Sequence, residues 1–405
     1  MRIDFLGNMN NLTFYPAREL KKRGFDVTFI VDVDKNILLD RPESWDKTLS
    51  STYPDWIKEM VLPDRLKGLK FSMPLIYLKK YIRLINEYDV VFLNGLWISL
   101  AQYIKPGKKV VAIFAGYDLD VLADYNSAGY LTNNFYQSAP AYMKVIPHFI
   151  PQLLFKKLIG LQRQGVKRAE IVNYYSTGIN PDADKLLNDI KAGQTFKRLE
   201  YRGFDCDKFP YREPVMDNKK FTILNITRFF YLTKRNDNKR NDIMIRGIGN
   251  FLKTNQLTPA DVDILFFEKG DDIADAKKLC DQYGLTPFIH WQQQTSAEDL
   301  NNYFARCDVA FDQLGEQWIG AGLFSMLTGR PVIANGRPEV FEKLFNEKAP
   351  VCQATNEEEV ANWLTRLYAE RHLVKEIGLA SRNYVLKHYS IEATVAYYIK
   401  NLELQ

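Results

Sequence analysis

Strand-like apolar runs alternate with helical patterns from one end of this chain to the other, and that alternation leaves few folds open. "RIDFLG" (2–7) is followed by a polar turn, an amphipathic stretch closed by Gly24, and then "DVTFIV" (26–31). "DVVFLNG" (89–95), "KVVAIFAG" (109–116) and "EIVNYYS" (170–176) are further buried-strand candidates, each ending in small or polar residues. A second series begins at Phe221 and runs "FTILNITR", "VDILFFEKG", "PFIHW", "DVAFDQL", "RPVIAN" and "APVCQA", with helical stretches between. Strands separated by helices predict parallel sheets with crossover connections, so the expected class is α/β, doubly wound. No self-similarity appears at a period of about 20 to 50 residues, which excludes a solenoid.

At 405 residues the chain exceeds what one hydrophobic core supports, so two domains are expected. The junction falls in "RLEYRGFDCDKFPYREPVMDNKKF", which is polar, proline-bearing and without periodicity. We divide the chain into 1–208 and 209–389, with the amphipathic segment 390–405 as a final helix. Two such domains in tandem would turn the carboxyl ends of their sheets toward a central cleft, the usual ligand position in open α/β sheets.

Apolar residues make up 46% and charged ones 25%, which excludes a largely disordered chain. No apolar run is long enough to span a bilayer, and Met1 leads directly into a strand with no leader pattern, so a cytoplasmic location is expected. Cys206, Cys280, Cys307 and Cys352 stand far apart, without the spacing of a disulfide framework or a zinc site. The net charge of +5 is concentrated between 141 and 170, where six basic residues face Glu170 alone. Ile150, Leu153, Leu154, Leu158 and Leu161 recur there at helical spacing, giving one apolar and one basic face. This is either a surface helix packed on its own domain or a helix in peripheral contact with an anionic membrane, at the inner face of the cell membrane. Nucleic acid fits poorly, because the basic residues lack interleaved stacking aromatics.

The candidate binding residues lie after strands. In "GNMNN", Gly7, Asn10 and Asn11 let the backbone approach a polar ligand near a helix N-terminus, or simply form a strand-to-helix turn; the G-x-G-x-x-G fingerprint is missing. In "TRFFYLTKRNDNKRND", Arg228, Lys234, Arg235, Lys239 and Arg240 crowd the loop before a helix, where cations and helix dipole together suit a diphosphate; a solvated charged loop is the plain alternative. Gly270 in "FEKGDD" permits close backbone approach, and Trp291 offers either a flat surface for a nucleobase or a core-edge ring. In "DQLGEQWIGAGLFSMLTGRPVIAN" (312–335), Gly320 and Gly322 expose backbone amides as a helix begins, and the Glu316 carboxylate can accept two hydroxyl hydrogens from a sugar ring.

That last segment resembles the nucleotide-sugar loop of retaining glycosyltransferases of family 4, which have the GT-B fold of two Rossmann-like domains. Their segment reads Glu, seven residues, Glu, then a small helix ending in Gly-x-Pro. Glu316 matches the first acid; eight residues on stands Phe324, or Ser325 with a one-residue gap, where the family holds the ribose of the nucleotide with its second acid. "YRGFDCDKF" (201–209) resembles the family's interdomain segment, with Gly203, Asp205 and Phe209 in place, and "ITRFF…NKRNDIMIRGIGNF" is similar to its Gly-Arg…Lys-Gly-x-Asp stretch. The resemblance implies that Arg228 and Lys239 grip the donor diphosphate and that the final helix crosses back to the first domain. It also implies an acceptor-side loop at "FAGYDLD", where Asp118 is the nearest ionisable group because the family's frequent His is replaced by Ala115.

The function expected is transfer of a sugar from a nucleoside diphosphate sugar to a hydroxyl acceptor, a glycan or lipid-linked saccharide, with retention at the anomeric carbon. Arg228, Lys239 and Glu316 are the catalytic set. No cofactor is expected, the nucleotide sugar being a substrate, and no metal, since an Asp-x-Asp cluster is lacking where one would serve. Two rivals share the architecture: a nucleotide-sugar 2-epimerase, which needs clustered acid and base groups that the four histidines do not supply in sequence, and an inactive sugar-nucleotide-binding subunit.

Overall fold

Runs such as Val90–Asn94 are buried along their whole length, as a strand must be when helices cover both faces of its sheet. The computed structural model describes all residues except 36, 38–39, 50–51, 64–66, 201–202, 216–219, 233–237, 296–298, 316–319 and 405. The chain forms two compact units, Met1–Phe204 with Ile391–Gln405, and Asp205–Ser390.

The first unit holds seven strands: β1 (Arg2–Leu6), β2 (Asp26–Val31), β3 (Ile57–Glu59), β4 (Val90–Asn94), β5 (Lys109–Ile113), β6 (Ile171–Asn173) and β7 (Lys197–Leu199). They pair in the order β3-β2-β1-β4-β5-β6-β7, and every pairing is parallel. Because β1 lies between β2 and β4, the chain reverses its direction of travel there, which is a topological switch point. The strand faces alternate. Ile3 and Phe5 enter one layer, where Phe5 stacks on Phe92 at 4.2 Å, and Leu6 and Val91 enter the other.

The last helix, Ile391–Leu402, belongs to this unit, as the GT-B resemblance implies. Its Val395, Tyr398 and Leu402 are buried in the layer with Phe5, and the Tyr398 ring meets Phe92 edge-on at 5.1 Å. Each such side chain contributes about 1.5–3 kcal/mol, enough to hold a short helix to its sheet.

The second unit holds β8 (Phe221–Asn225), β9 (Val262–Phe267), β10 (Ile289–Gln292), β11 (Val309–Phe311), β12 (Val332–Ala334) and β13 (Cys352–Gln353), paired in the order β10-β9-β8-β11-β12-β13, again all parallel. Here the switch point lies at β8, flanked by β9 and β11. Both domains are thus doubly wound and Rossmann-like.

The division falls after Phe204, four residues before the expected position at 208, and the bonding explains why. Phe209 stacks on Phe324, Arg382 donates to the Phe209 carbonyl at 3.0 Å, and the Arg212 amide donates to the Thr328 carbonyl at 3.0 Å. Residues leading into the second sheet are therefore already fastened to its helices. At the other crossing, the Ile391 amide donates to the Phe204 carbonyl at 3.0 Å.

Candidate functional site

In the second domain, the loops following β8, β9 and β11 leave adjacent strands at the switch point, so side chains far apart in sequence meet there. Asn225 ends β8 fully buried, and its Oδ1 accepts from the Thr227 amide at 3.2 Å and hydroxyl at 2.6 Å, which bends the chain at once. The next residues are stitched to the loop after β9. Phe229 donates its N–H to the Lys269 carbonyl at 2.7 Å, and its carbonyl accepts from the Asp272 amide at 3.2 Å. The Asp272 carboxylate in turn accepts from the amides of Tyr231 (2.6 Å) and Leu232 (3.0 Å). Gly270 makes this possible: φ is +116°, and a Cβ there would lie 2.2 Å from the Phe229 carbonyl oxygen. The close approach that Gly270 permits is to the neighbouring loop.

This stitching brings Arg228 and Lys269 together. Arg228 is exposed, its guanidinium 5.7 Å from the Phe230 ring centroid. The pKa of Lys269 is lowered, first by burial and then by the positive charge of Arg228. Among the described residues neither cation has an ion-pair partner. Two like charges held close, one of them half-buried, form a site whose repulsion an anion would relieve. Lys269 escaped the sequence reading, although it stands inside the quoted "FEKGDD"; a lysine beside a glycine at a strand's carboxyl end was the available signal.

Lys239 lies between the loops after β8 and β11. Its amide donates to the Phe230 carbonyl at 2.8 Å, its carbonyl accepts from the Leu314 amide at 3.2 Å, and its ammonium donates to Gln313 Oε1 at 2.8 Å. The same ammonium faces Asp312, the residue that follows β11. Burial pushes the Asp312 carboxyl up to about 6, while the Gly322 amide, donating at 3.2 Å, and Lys239 pull it back. Gly322 is needed because a Cβ would stand 2.8 Å from the carboxylate, and Gly320, at φ +138°, precedes the helix Ala321–Thr328 with open space around it.

Phe324 faces another aromatic ring, stacking on Phe209 at 4.4 Å with planes 14° apart. Ser325 is fully buried, and its hydroxyl has no partner among the described residues. Trp291 sits at the core edge: its ring packs 5.6 Å from both Phe229 and Phe266, with the Lys277 ammonium 4.9 Å from its centroid. Glu316, like Lys234 and Arg235, lies outside the described residues.

The first domain builds its own switch-point loops. Gly7 has φ +87°, and a Cβ there would meet the Asn94 carbonyl oxygen at 2.4 Å, so the turn after β1 rests directly on the end of β4. Asn10 and Asn11 both adopt positive φ, 55° and 59°. Asn10 is exposed, with its amide donating to Asp40, whereas Asn11 is buried and its Nδ2 has no partner among the described residues. The anchor of this turn is Asn8, whose Oδ1 accepts from the amides of Thr13 and Phe14 and from the Thr13 hydroxyl. Asp118 is fully buried; its carboxylate accepts from the amides of Gly95 (3.1 Å), Ala115 (2.8 Å) and Gly116 (3.0 Å). What it does in the structure is clamp the loops after β4 and β5 to each other. Among the described residues no group of three or more His, Cys, Asp or Glu side chains is placed to hold a metal ion.

No protein-family model matches the sequence, and a search of curated proteins finds no match. Solved structures do match. Sucrose-phosphate synthase from Thermosynechococcus elongatus aligns over 100% of this chain and 98% of its own, with a TM-score of 0.60 and 14% identity. Anabaena HepE, solved in complex with UDP and glucose, aligns over 100% of both chains with a TM-score of 0.63 and 14% identity. A glycosyltransferase from Rickettsia africae aligns over 100% and 98%, with a TM-score of 0.60 and 15% identity. At such identities the likeness establishes the fold, and that fold is GT-B.

Proposed function

We propose that this chain is a glycosyltransferase that moves a sugar from a nucleoside diphosphate donor to a hydroxyl acceptor on a glycan or lipid-linked saccharide, with retention at the anomeric carbon and without a metal. One observation carries the reading: Arg228 and Lys269, two cations with no acid paired to them among the described residues, converge after β8 and β9 at the switch point of the second domain. The bond from the anomeric carbon to the diphosphate oxygen breaks as a bond to the acceptor oxygen forms, negative charge accumulates on the departing diphosphate, and the acceptor's hydroxyl proton passes to that diphosphate. Preorganised cations are suited to that charge, and they need no reorganisation as the bond breaks. Lys239 adds a third cation from the loop's far end, and the helix start at Gly320–Gly322 adds backbone amides. Glu316 is proposed to orient the donor sugar, and Asn10 and Asn11 are proposed among the donor-binding residues. The solved complexes of HepE with UDP and with UDP-glucose support a nucleotide-sugar donor for a chain of this fold.

A sugar-nucleotide-binding subunit without transfer activity is the second reading, favoured by Phe324: where the resembling family has an acid, this chain stacks a phenyl ring on Phe209. Thermal-shift measurements against UDP-, GDP-, ADP- and TDP-sugars identify the donor, because a ligand of the native state raises its apparent stability. Transfer is then assayed with that donor across an acceptor panel, and the anomeric configuration of the product is read by NMR. Lys239→Ala should lower turnover by about a hundredfold or more, the scale of losing one preorganised stabiliser of charge. Unchanged transfer in both Lys239→Ala and Arg228→Ala refutes the assignment. Donor binding with no product supports the binding subunit, and a changed sugar without any acceptor identifies an epimerase.

A further inference from the structure

Two stretches of the first domain contain no acidic residue: 67–86 carries five Lys and Arg, and 125–169 carries six. With these eleven cations set against a whole-chain charge of +5, the remaining residues sum to −6, so the molecule is strongly polarised. The structure places both stretches on neighbouring helices. Lys67–Ser72 packs on the long helix Phe149–Arg168 so tightly that a Cβ on Gly68 would lie 3.1 Å from the Phe155 ring. Pro74–Tyr77 follows immediately after Met73.

Both stretches also expose large apolar side chains, which is unusual beside so much charge. Leu75, Ile76 and Tyr77 project from the short helix, Ile76 being 67% exposed. From the other stretch project Val145, 81% exposed, Phe149 and Leu153. Lys79, Lys80, Lys144, Lys156 and Lys157 stand exposed among them. The sequence puts Ile150, Leu153, Leu154, Leu158 and Leu161 on one apolar face of this helix, whereas its buried stripe is Phe155, Leu158, Ile159, Leu161 and Val166, so Phe149, Ile150 and Leu153 are surplus to the domain's own core.

We infer that segments 74–83 and 142–157 together seat the first domain on an anionic lipid bilayer. Exposed apolar side chains among an excess of cations, with Glu87 the acid in the groove beside Leu75 and Lys79, match a membrane interface, where rings and aliphatic chains enter the acyl boundary while ammonium groups meet lipid phosphates. A second copy of this chain is the poorer occupant, because it would set the six cations of these segments, Lys79, Lys80, Arg83, Lys144, Lys156 and Lys157, against another six. No helix among the described residues is long and apolar enough to cross a membrane, so the contact is peripheral. It also has a structural consequence. The far half of the long helix donates from Gln162 to the carbonyls of Gly95 (3.1 Å) and Asp118 (2.9 Å), and Gly165 brings it against the Ile98 carbonyl. The lipid-facing end and the loops after β4 and β5 are thus carried by one rigid element.

Co-sedimentation of the full chain with phosphatidylglycerol-containing vesicles, against pure phosphatidylcholine vesicles, tests the inference. Binding should require the anionic lipid and fall with added salt. Lys156→Glu with Lys157→Glu should weaken it more than about tenfold, since each cation near such a surface contributes on the order of 1 kcal/mol. Ile76→Ser and Leu153→Ser, neutral replacements at exposed positions that should leave the melting temperature unchanged, should each weaken it without altering its salt dependence. Equal sedimentation with both lipids, or no sedimentation, overturns the inference. So does a dimer in light scattering that Phe149→Asp dissociates, which would make a second copy the occupant.

Discussion

Asp4 stands in the middle of β1, paired in register with Thr28 on β2 and Val91 on β4, and it is wholly buried. Neither carboxyl oxygen has a hydrogen-bond partner of good geometry among the described residues. Burial pushes its pKa from 3.8 up to about 8; the Phe5 amide and Lys58 lower it only in part, and Glu87 raises it further. In the unfolded chain the group ionises near 4, so folding at pH 7 must protonate it. The contribution to stability is full below the unfolded value, declines as pH rises from about 4, and is exhausted near pH 8. At about 1.4 kcal/mol per pH unit, the cost reaches about 4 kcal/mol at pH 7. Asp4→Asn keeps the shape and removes the ionisation. The opening free energy of the β1 and β4 amides, measured by hydrogen exchange with correction for intrinsic rates, should favour the variant by an amount that grows by about 2.7 kcal/mol between about pH 5 and pH 7. Every other carboxyl is common to both proteins and cancels in the difference. A gap that stays constant with pH, or shrinks as pH rises, refutes the reasoning.

Gly165→Ala would force a Cβ to 1.8 Å from the Ile98 carbonyl oxygen, so the first domain should lose about 1–3 kcal/mol or more, seen as a lowered melting temperature. Gly270→Ala combines positive φ with a 2.2 Å overlap on Phe229; both the stability of the second domain and the thermal shift given by its nucleotide sugar should fall, and if neither changes, the stitching of its two loops is wrong. Burial pushes the thiols of Cys280, Cys307 and Cys352 up to about 12, so a disulfide reagent at mildly alkaline pH should leave them unmodified until denaturant is added.

Sequence alone determined the class of fold, because apolar periodicity is a local property. "DVVFLNG" and "FTILNITR" became β4 and β8, and the apolar spacing after Ile150 became the helix Phe149–Arg168. Local pattern was silent where an element is short and charged: β7 is the three residues Lys197–Leu199 at a sheet edge, recognisable only from its pairing with β6. It was silent too on buried charge. Arg41 and Arg330 carry no local signal of burial, yet one is paired with Glu43 and Glu59, and the other donates to the carbonyls of Ala305, Cys307 and Arg212. At the candidate site the sequence singled out Arg228, Lys239 and the glycines by type, and the tertiary structure decided what they face. Lys269 joins Arg228 from 41 residues away only because β9 pairs in parallel with β8 and Gly270 lets their loops touch, while Asp118, placed by resemblance at the acceptor, is turned inward by three backbone amides. Periodicity is written along the chain; the meeting of charges depends on which strands lie side by side, and that is settled only when the sheet closes its register.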